Sequence, residues 1–262
     1  MTSEELLEQA VEEAARLVVA ANHVVALVGA GHSVESGIPP FRGPGGLWTK
    51  YGEPDTLGYQ SFMRDPKKWW EERISGTGPL QELIDALDQA KPNPGHYALA
   101  ELEQLGQLQH IITQNIDNLH QEAGSTAITE IHGSRVKLRC IGCNTRWPID
   151  EFTVEELPPK CPECGGMVKS DTVMFGEPIP RDALEECIRQ SRMCTCMLLV
   201  GTSGTVYPAA GFPQDVKMAG GKLIEINPNE TALTPLCDII LRAPAGTSLP
   251  MLVERVRQLA AV

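Results

Sequence analysis

Four cysteines stand as two Cys-x-x-Cys pairs, Cys140 with Cys143 and Cys161 with Cys164, separated by seventeen residues. That is the spacing of a structural zinc ribbon. Each pair makes a tight knuckle that aims two thiolates at one ion. Gly142, Gly165 and Gly166 supply the backbone freedom a knuckle needs, and Pro162 stiffens one of them. Four thiolates close a tetrahedron and leave no position for water, so the Zn2+ they predict holds structure rather than performing chemistry. Two redox-active pairs, or coincidence, are the alternative readings. Cys187, Cys194, Cys196 and Cys237 fit no ligand pattern and are expected to be ordinary core or near-surface thiols.

A second set of chemically able residues sits where apolar runs end. The run Val24–Val28 leads into Gly29-Ala30-Gly31, where missing side chains let backbone N–H groups approach a phosphate. Val34 stands where a G-x-G-x-x-G fingerprint has its third glycine, so this step alone also fits a tight turn. The stretch Ile38-Pro-Pro-Phe-Arg-Gly43 is less generic, because it puts two rigid prolines, an aromatic and an arginine on one loop. Thr113 leads into Gln114-Asn115-Ile116-Asp117, two amides and a carboxylate on one turn, any of which could be a helix cap. His132 comes directly after Ile131, and a solitary histidine has a structural reading beside the catalytic one. Gly201-Thr202-Ser203-Gly204 and Asn227-Pro228-Asn229 close two further runs with groups suited to phosphate or ribose.

These ends must be positioned by an alternation of strands and helices. Strand-like runs fall at 24–28, 108–113, 197–201 and 223–226, with a weaker one at 239–241. Helical patterns fall at 92–105, closed by Gly106, and at 181–193. Such alternation predicts an α/β fold, a Rossmann-like doubly wound parallel sheet. Ligands in such folds bind beyond the carboxyl ends of the strands. The zinc segment interrupts the pattern, as does an irregular stretch holding Trp69, Trp70 and a helix near 79–89. The domain reading is therefore 1–43, 91–133 and 177–262 for the Rossmann-like domain. Residues 44–90 (a helical module) and 134–176 (a zinc-ribbon module) form the small domain.

The 262 residues carry a formal net charge of −12, which excludes the basic footprint of a nucleic-acid binder and is compatible with docking basic protein segments. Thr2-Ser-Glu-Glu5 reads as a capping box, with Leu6, Ala10, Val11, Ala14, Leu17 and Val18 on one helical face rather than as a signal peptide. No apolar run approaches the ~20 residues of a membrane helix. A cytoplasmic enzyme is the expectation, with no direct nucleic-acid and no membrane partner.

GAGHSVESGIPPFRG, TQNIDNLH, IHGS, the four cysteines, VMFGE, GTSGTVYPAA and INPN occur in this order. The chain resembles the sirtuins, NAD-dependent protein-lysine deacylases, from about Val24 to Ala245. The resemblance implies NAD as co-substrate, one structural zinc, and acyl-lysine-bearing proteins or peptides as partners. By match, Gly29, Ala30, Gly31, Ser33 and Glu35 belong to the NAD loop, and Phe41 and Arg42 to its flexible cover. Gln114, Asn115, Ile116 and Asp117 line the ribose and nicotinamide pocket, and His132 is the catalytic base, with Asn115 beside it in the catalytic set. Gly201, Thr202, Ser203, Asn227, Pro228 and Asn229 contact the adenosine half, with Ala245 near the adenine. Val173, Phe175, Gly176 and Glu177 match a strand that pairs with the peptide and walls the acyl-lysine tunnel.

The implied reaction passes the acyl group to ADP-ribose, giving free lysine, nicotinamide and O-acyl-ADP-ribose. An imidazole suits the base because it titrates near the operating pH. Protein mono-ADP-ribosyl transfer and a non-catalytic NAD-sensing module are the rival readings. Departures from the family pattern are His32, where a small or aliphatic residue is usual, and Gly204. The Tyr-x-x-Arg pair of members that prefer succinyl- or malonyl-lysine is absent. The region after Pro66 has Trp69, Trp70 and Arg73 instead, with the tryptophans expected in the core of the module. Acetyl-lysine is the expected substrate.

Overall fold

The apolar run Val24–Val28 is wholly buried because it lies at the centre of a sheet covered on both faces. The computed structural model describes residues 2–42, 45–53, 56–76 and 81–260. Gly43 and Pro44 of the proline-rich loop, and the start of the helix expected near 79–89, lie outside them.

The strands in chain order are β1 (Val24–Val28), β2 (His110–Thr113), β3 (Ile128–Glu130), β4 (Lys137–Cys140), β5 (Arg146–Pro148), β6 (Val168–Ser170), β7 (Cys196–Val200), β8 (Lys222–Ile226) and β9 (Ile239–Leu241). Six form one sheet in the order β3-β2-β1-β7-β8-β9. Every pairing in it is parallel. Side chains alternate across β1. Val24, Ala26 and Val28 join a core shared with helices Ser3–Ala20, Pro94–Gln104 and Ala245–Ala260. Val25 and Leu27 face the opposite core, with helices Arg181–Met193 and Phe212–Met218. The strand order reverses between β1 and β7, so a crevice opens where their carboxyl ends diverge.

The capping box of Thr2 and Glu5 forms as its spacing predicts. Val11, Ala14, Ala15 and Val18 are the helix residues that become buried, whereas Leu6 is 50% exposed. Leu6 stays outside the core, against which its neighbour Leu7 packs. β3 has three residues and no long apolar run to announce it. Helix Ala245–Ala260 carries Pro250 inside, which masks its pattern.

The interruptions in the alternation are also visible. β5-β4-β6 make a small antiparallel sheet. Helices Leu47–Tyr51, Gly58–Arg64, Pro66–Ser75 and Gln81–Gln89 fill the irregular stretch. Trp70 is buried against Leu138, Cys140, Cys161 and Val168, with Trp69 packed beside it. The Trp70 indole N–H donates to the Val168 carbonyl at 3.1 Å. The two tryptophans therefore join the helices to the small sheet, in agreement with a core role.

Candidate active site

The crevice is built first from glycines. Gly29 N–H donates to the Val200 carbonyl and Gly31 N–H to the Gly201 carbonyl, each at 2.9 Å, so the turns after β1 and β7 touch backbone to backbone. A Cβ on Gly31 would sit 2.7 Å from the Gly201 oxygen. Gly201, at φ +58, would place its own Cβ 2.2 Å from the His32 nitrogen. No larger residue fits this close approach. The 3₁₀ turn Ala30–Ser36 starts there and ends at Gly37, φ 88.

Polar side chains from the next strand end are tied to that turn. Asn115 Nδ2 donates to the Gly29 carbonyl and to Ser33 Oγ, both at 3.1 Å. Ser33 Oγ donates to Asp117 Oδ2 at 2.7 Å, and Leu119 N–H donates to Asp117 Oδ1 at 3.1 Å. Burial nevertheless pushes the Asp117 carboxyl above its ordinary value, with those two donors opposing it. Gln114 Nε2 reaches across to Thr202 Oγ1 at 2.9 Å. Asn227 Nδ2 donates to the Thr202 carbonyl at 3.5 Å, and Asn229 N–H closes a turn on Asn227 Oδ1. Glu35 accepts from Gly246 N–H at 2.7 Å, beside buried Ala245. Hydrogen bonds thus connect most of the expected NAD residues. Ile116 joins through its carbonyl, which accepts from Arg135 N–H at 3.1 Å. Ser203 instead pairs with Thr205, and Pro228 is exposed.

His132 lies just past β3 and is half-buried. Its Nδ1 lies 3.0 Å from the Gln114 carbonyl, which can only accept, so Nδ1 carries the proton and Nε2 is the basic atom. Burial lowers its pKa below the ordinary histidine value, while the Gln114 carbonyl works the other way. The His132 carbonyl accepts from Val173 N–H at 2.8 Å. Gly133, φ +72, would drive a Cβ to 2.0 Å from the Asp171 oxygen. The histidine is therefore pinned against the segment that resembles a peptide-binding strand.

That segment, Val173–Glu177, is not a strand of the structure. Val173 and Met174 have no ladder partner, and Phe175-Gly176 form a turn. Phe175 is 42% exposed, and its carbonyl accepts from Tyr59 N–H at 3.0 Å. Glu177 is buried in an ion network that the sequence reading missed. It meets Arg139 and Lys169 at 2.5 and 3.0 Å, and Arg139 also meets Asp171 at 2.8 Å. Lys169 is wholly buried and donates to the Ser170 and Thr172 carbonyls, each at 2.8 Å.

Phe41 and Arg42 are exposed on the loop after the 3₁₀ turn. Trp48, given no role from sequence, organises them. Its ring lies 5.0 Å from Phe41 and 5.7 Å from Phe175, with the Arg42 guanidinium 4.4 Å above it. Arg42 also pairs with Glu53 and donates to Thr205 Oγ1. The only signal for Trp48 was its place at the end of the glycine-rich loop.

The four expected metal-ligating cysteines converge, their sulfurs all within 4.8 Å of one another. Cys140 and Cys164 Sγ are 3.5 Å apart, and Cys143 and Cys161 Sγ 3.6 Å. Tetrahedral zinc–thiolate bonds place sulfurs about 3.8 Å apart, so the donor set and its spacing fit one zinc. Cys187, Cys194 and Cys196 are buried and Cys237 partly so, as ordinary thiols.

A sequence model described as the Sir2 family matches residues 29–208. NAD-dependent protein deacylase 2 of Pyrobaculum aerophilum is 44% identical over 93% of this chain and 95% of its own length. A Sir2 homologue solved with NAD is 40% identical, covers 95% of this chain and 94% of its own, and superposes with a TM-score of 0.78. Another, Sir2Af2 bound to a myristoylated histone peptide, is 36% identical over 97% of this chain and 99% of its own, with a TM-score of 0.71.

Proposed function

Since the chain belongs to the Sir2 family of NAD-dependent protein deacylases, we propose that its strand-end crevice removes chiefly acetyl groups from protein lysines, with His132 as the base. The observation that carries this reading is the anchored imidazole. Nδ1 is committed to the Gln114 carbonyl, so Nε2 is free to take a proton from a ribose hydroxyl.

NAD supplies the ribose and loses nicotinamide, and one water is consumed as the acyl–lysine bond breaks, so that the lysine amine is freed and the acyl group leaves on ADP-ribose. Around it, Gly29, Ala30, Gly31, Ser33 and Glu35 form the loop that takes NAD. Asn115 and Asp117 orient the nicotinamide half through the hydrogen-bond chain that already links them. Gly201, Thr202, Ser203, Asn227, Pro228, Asn229 and Ala245 take the adenosine half. Phe41 and Arg42, backed by Trp48, cover the ribose and exclude water from a cationic carbon. Val173, Phe175, Gly176 and Glu177 receive the acyl-lysine peptide, a reading supported by the bond of 2.8 Å from Val173 N–H to the His132 carbonyl. Zinc at Cys140, Cys143, Cys161 and Cys164 holds the small sheet together and takes no part in the chemistry.

The test is to incubate the protein with NAD and an acetyl-lysine peptide and analyse the products by mass spectrometry. O-acetyl-ADP-ribose in step with peptide deacetylation is expected. ADP-ribose attached to protein without loss of acetyl would mean a mono-ADP-ribosyltransferase. Unconsumed NAD would mean a binding module.

A further inference from the structure

His32, the departure in the Gly-Ala-Gly-His turn, is not a surface residue. It is wholly buried, as is His96, and His120 is 1% exposed. The three come from different elements: the turn after β1, the first turn of helix Pro94–Gln104, and the short helix Leu119–Glu122. The His32 ring centroid lies 4.0 Å from that of His96 and 5.3 Å from that of His120, and His96 and His120 are 4.9 Å apart. Five of the six ring nitrogens have no hydrogen-bond partner among the described residues. Leaving a buried polar atom without a partner is costly, so such a group of orphans calls for an occupant.

One donor nitrogen from each ring can be chosen so that all three lie within 4.8 Å of one another. The surroundings are shaped to hold His32 there. Its carbonyl accepts from Asn93 Nδ2 at 2.8 Å, and a Cβ on Gly95 would fall 2.8 Å from its Cε1. We propose that His32, His96 and His120 form a second metal site, an all-imidazole pocket for a divalent first-row transition ion such as zinc, beneath the Gly29–Gly37 turn. This assignment stands apart from the deacylase reading and from the four-cysteine site.

Three imidazoles suit zinc, cobalt and nickel, and one ion satisfies three orphaned nitrogens at once. Burial holds all three rings below the ordinary histidine pKa, so neutral ligands are available without displacing protons. Ligand nitrogens about 2.1 Å from a tetrahedral ion lie roughly 3.4 Å apart, so the rings must draw together by up to ~1.4 Å. His96 is the constrained member. Its Nδ1 accepts from Asn93 N–H at a long 3.3 Å. Ligation through Nε2 moves the ring proton to Nδ1 and ends that bond. Because the rings are enclosed, the ion is captured as the chain folds rather than afterwards.

The test is expression of the full-length protein in cobalt-supplemented medium, with cobalt per chain and the absorption spectrum measured after removal of free metal. Two ions per chain are expected. One shows the intense sulfur-to-cobalt charge-transfer bands of thiolate ligation, and the other only the weak bands of nitrogen ligation. His32→Leu should lose the second ion and keep the thiolate spectrum, and so should His120→Leu if His32→Leu does not fold. A wild-type protein with one thiolate-bound cobalt and no more would overturn the site, leaving water as the bridge between the rings. A second ion that persists undiminished in a folded variant would overturn it equally.

Discussion

His132 and Asn115 have different work although His132 is bonded to the residue next to Asn115. The imidazole is oriented by the Gln114 carbonyl, whereas the Asn115 amide is spent on the Gly29 carbonyl and Ser33. Removing the imidazole should therefore leave the turn that holds NAD intact. His132→Ala is expected to lower kcat by roughly 10²–10⁴-fold, the usual contribution of a general base, with NAD affinity by titration calorimetry unchanged. Near-full turnover would assign the base elsewhere. The pH dependence has a definite sign. In the proposed role of base the neutral imidazole is the active form, and burial lowers its pKa from 6.5 against the smaller opposing effect of the carbonyl. The acid limb of kcat/KM should thus fall below pH 6.5, and a limb above it would contradict the buried environment. His32 shows where residue-level reading stops. Its type was visible as a departure, but its neighbours His96 and His120 lie far off in sequence and meet it only through the fold.

Among elements, the junction between the small sheet and the Val173–Glu177 segment carries the greatest electrostatic risk. Glu177, Arg139, Asp171 and Lys169 are all buried, and each charge depends on the others. Glu177→Gln leaves Lys169 and Arg139 short of a counter-charge. It should destabilise by about 3–5 kcal/mol, the usual cost of breaking a buried pair, measured by denaturant unfolding. Loss below 1 kcal/mol would mean that water reaches the cluster. The knuckles of the same sheet give a second prediction. Metal analysis should find zinc at the four cysteines, and Cys161→Ser should lose that ion and lower thermal stability. An active, folded protein without zinc would refute the ribbon. These elements were unequally legible. β1, helix Arg181–Met193 and the cysteine knuckles emerge from local pattern because periodicity or spacing alone specifies them. The ion network was hidden because its members are ordinary charges in sequence, made critical only by burial. The Val173–Glu177 segment matches a strand by motif, whereas the fold gives it a turn at Phe175-Gly176. Trp48 was hidden likewise, since its edge-on contact with Phe175 joins residues more than a hundred positions apart.

At the scale of the whole molecule, an acidic chain presents an aromatic mouth. The net charge of −12 favours substrates whose acyl-lysine is flanked by basic residues and disfavours an acyl group that brings its own carboxylate. Phe41, Trp48 and Phe175 form the apolar cluster nearest the proposed peptide segment. The cation above it, Arg42, is already paired with Glu53 at 3.2 Å. Arg73, the cation nearest to replacing a Tyr-x-x-Arg pair, lies over Trp69, whose neighbours belong to the core against the small sheet. A succinyl head entering such a mouth leaves its charge desolvated and without a free partner, a cost of several kcal/mol. On one peptide carrying each acyl group in turn, kcat/KM for acetyl should exceed that for succinyl or malonyl by roughly 10²-fold or more, since each 1.4 kcal/mol is a factor of ten. Longer neutral chains should remain substrates. If succinyl matched acetyl, a cation would have to reach the acyl head, with Arg73 and Arg64 the first suspects, and Arg73→Leu or Arg64→Leu would then abolish the succinyl activity selectively.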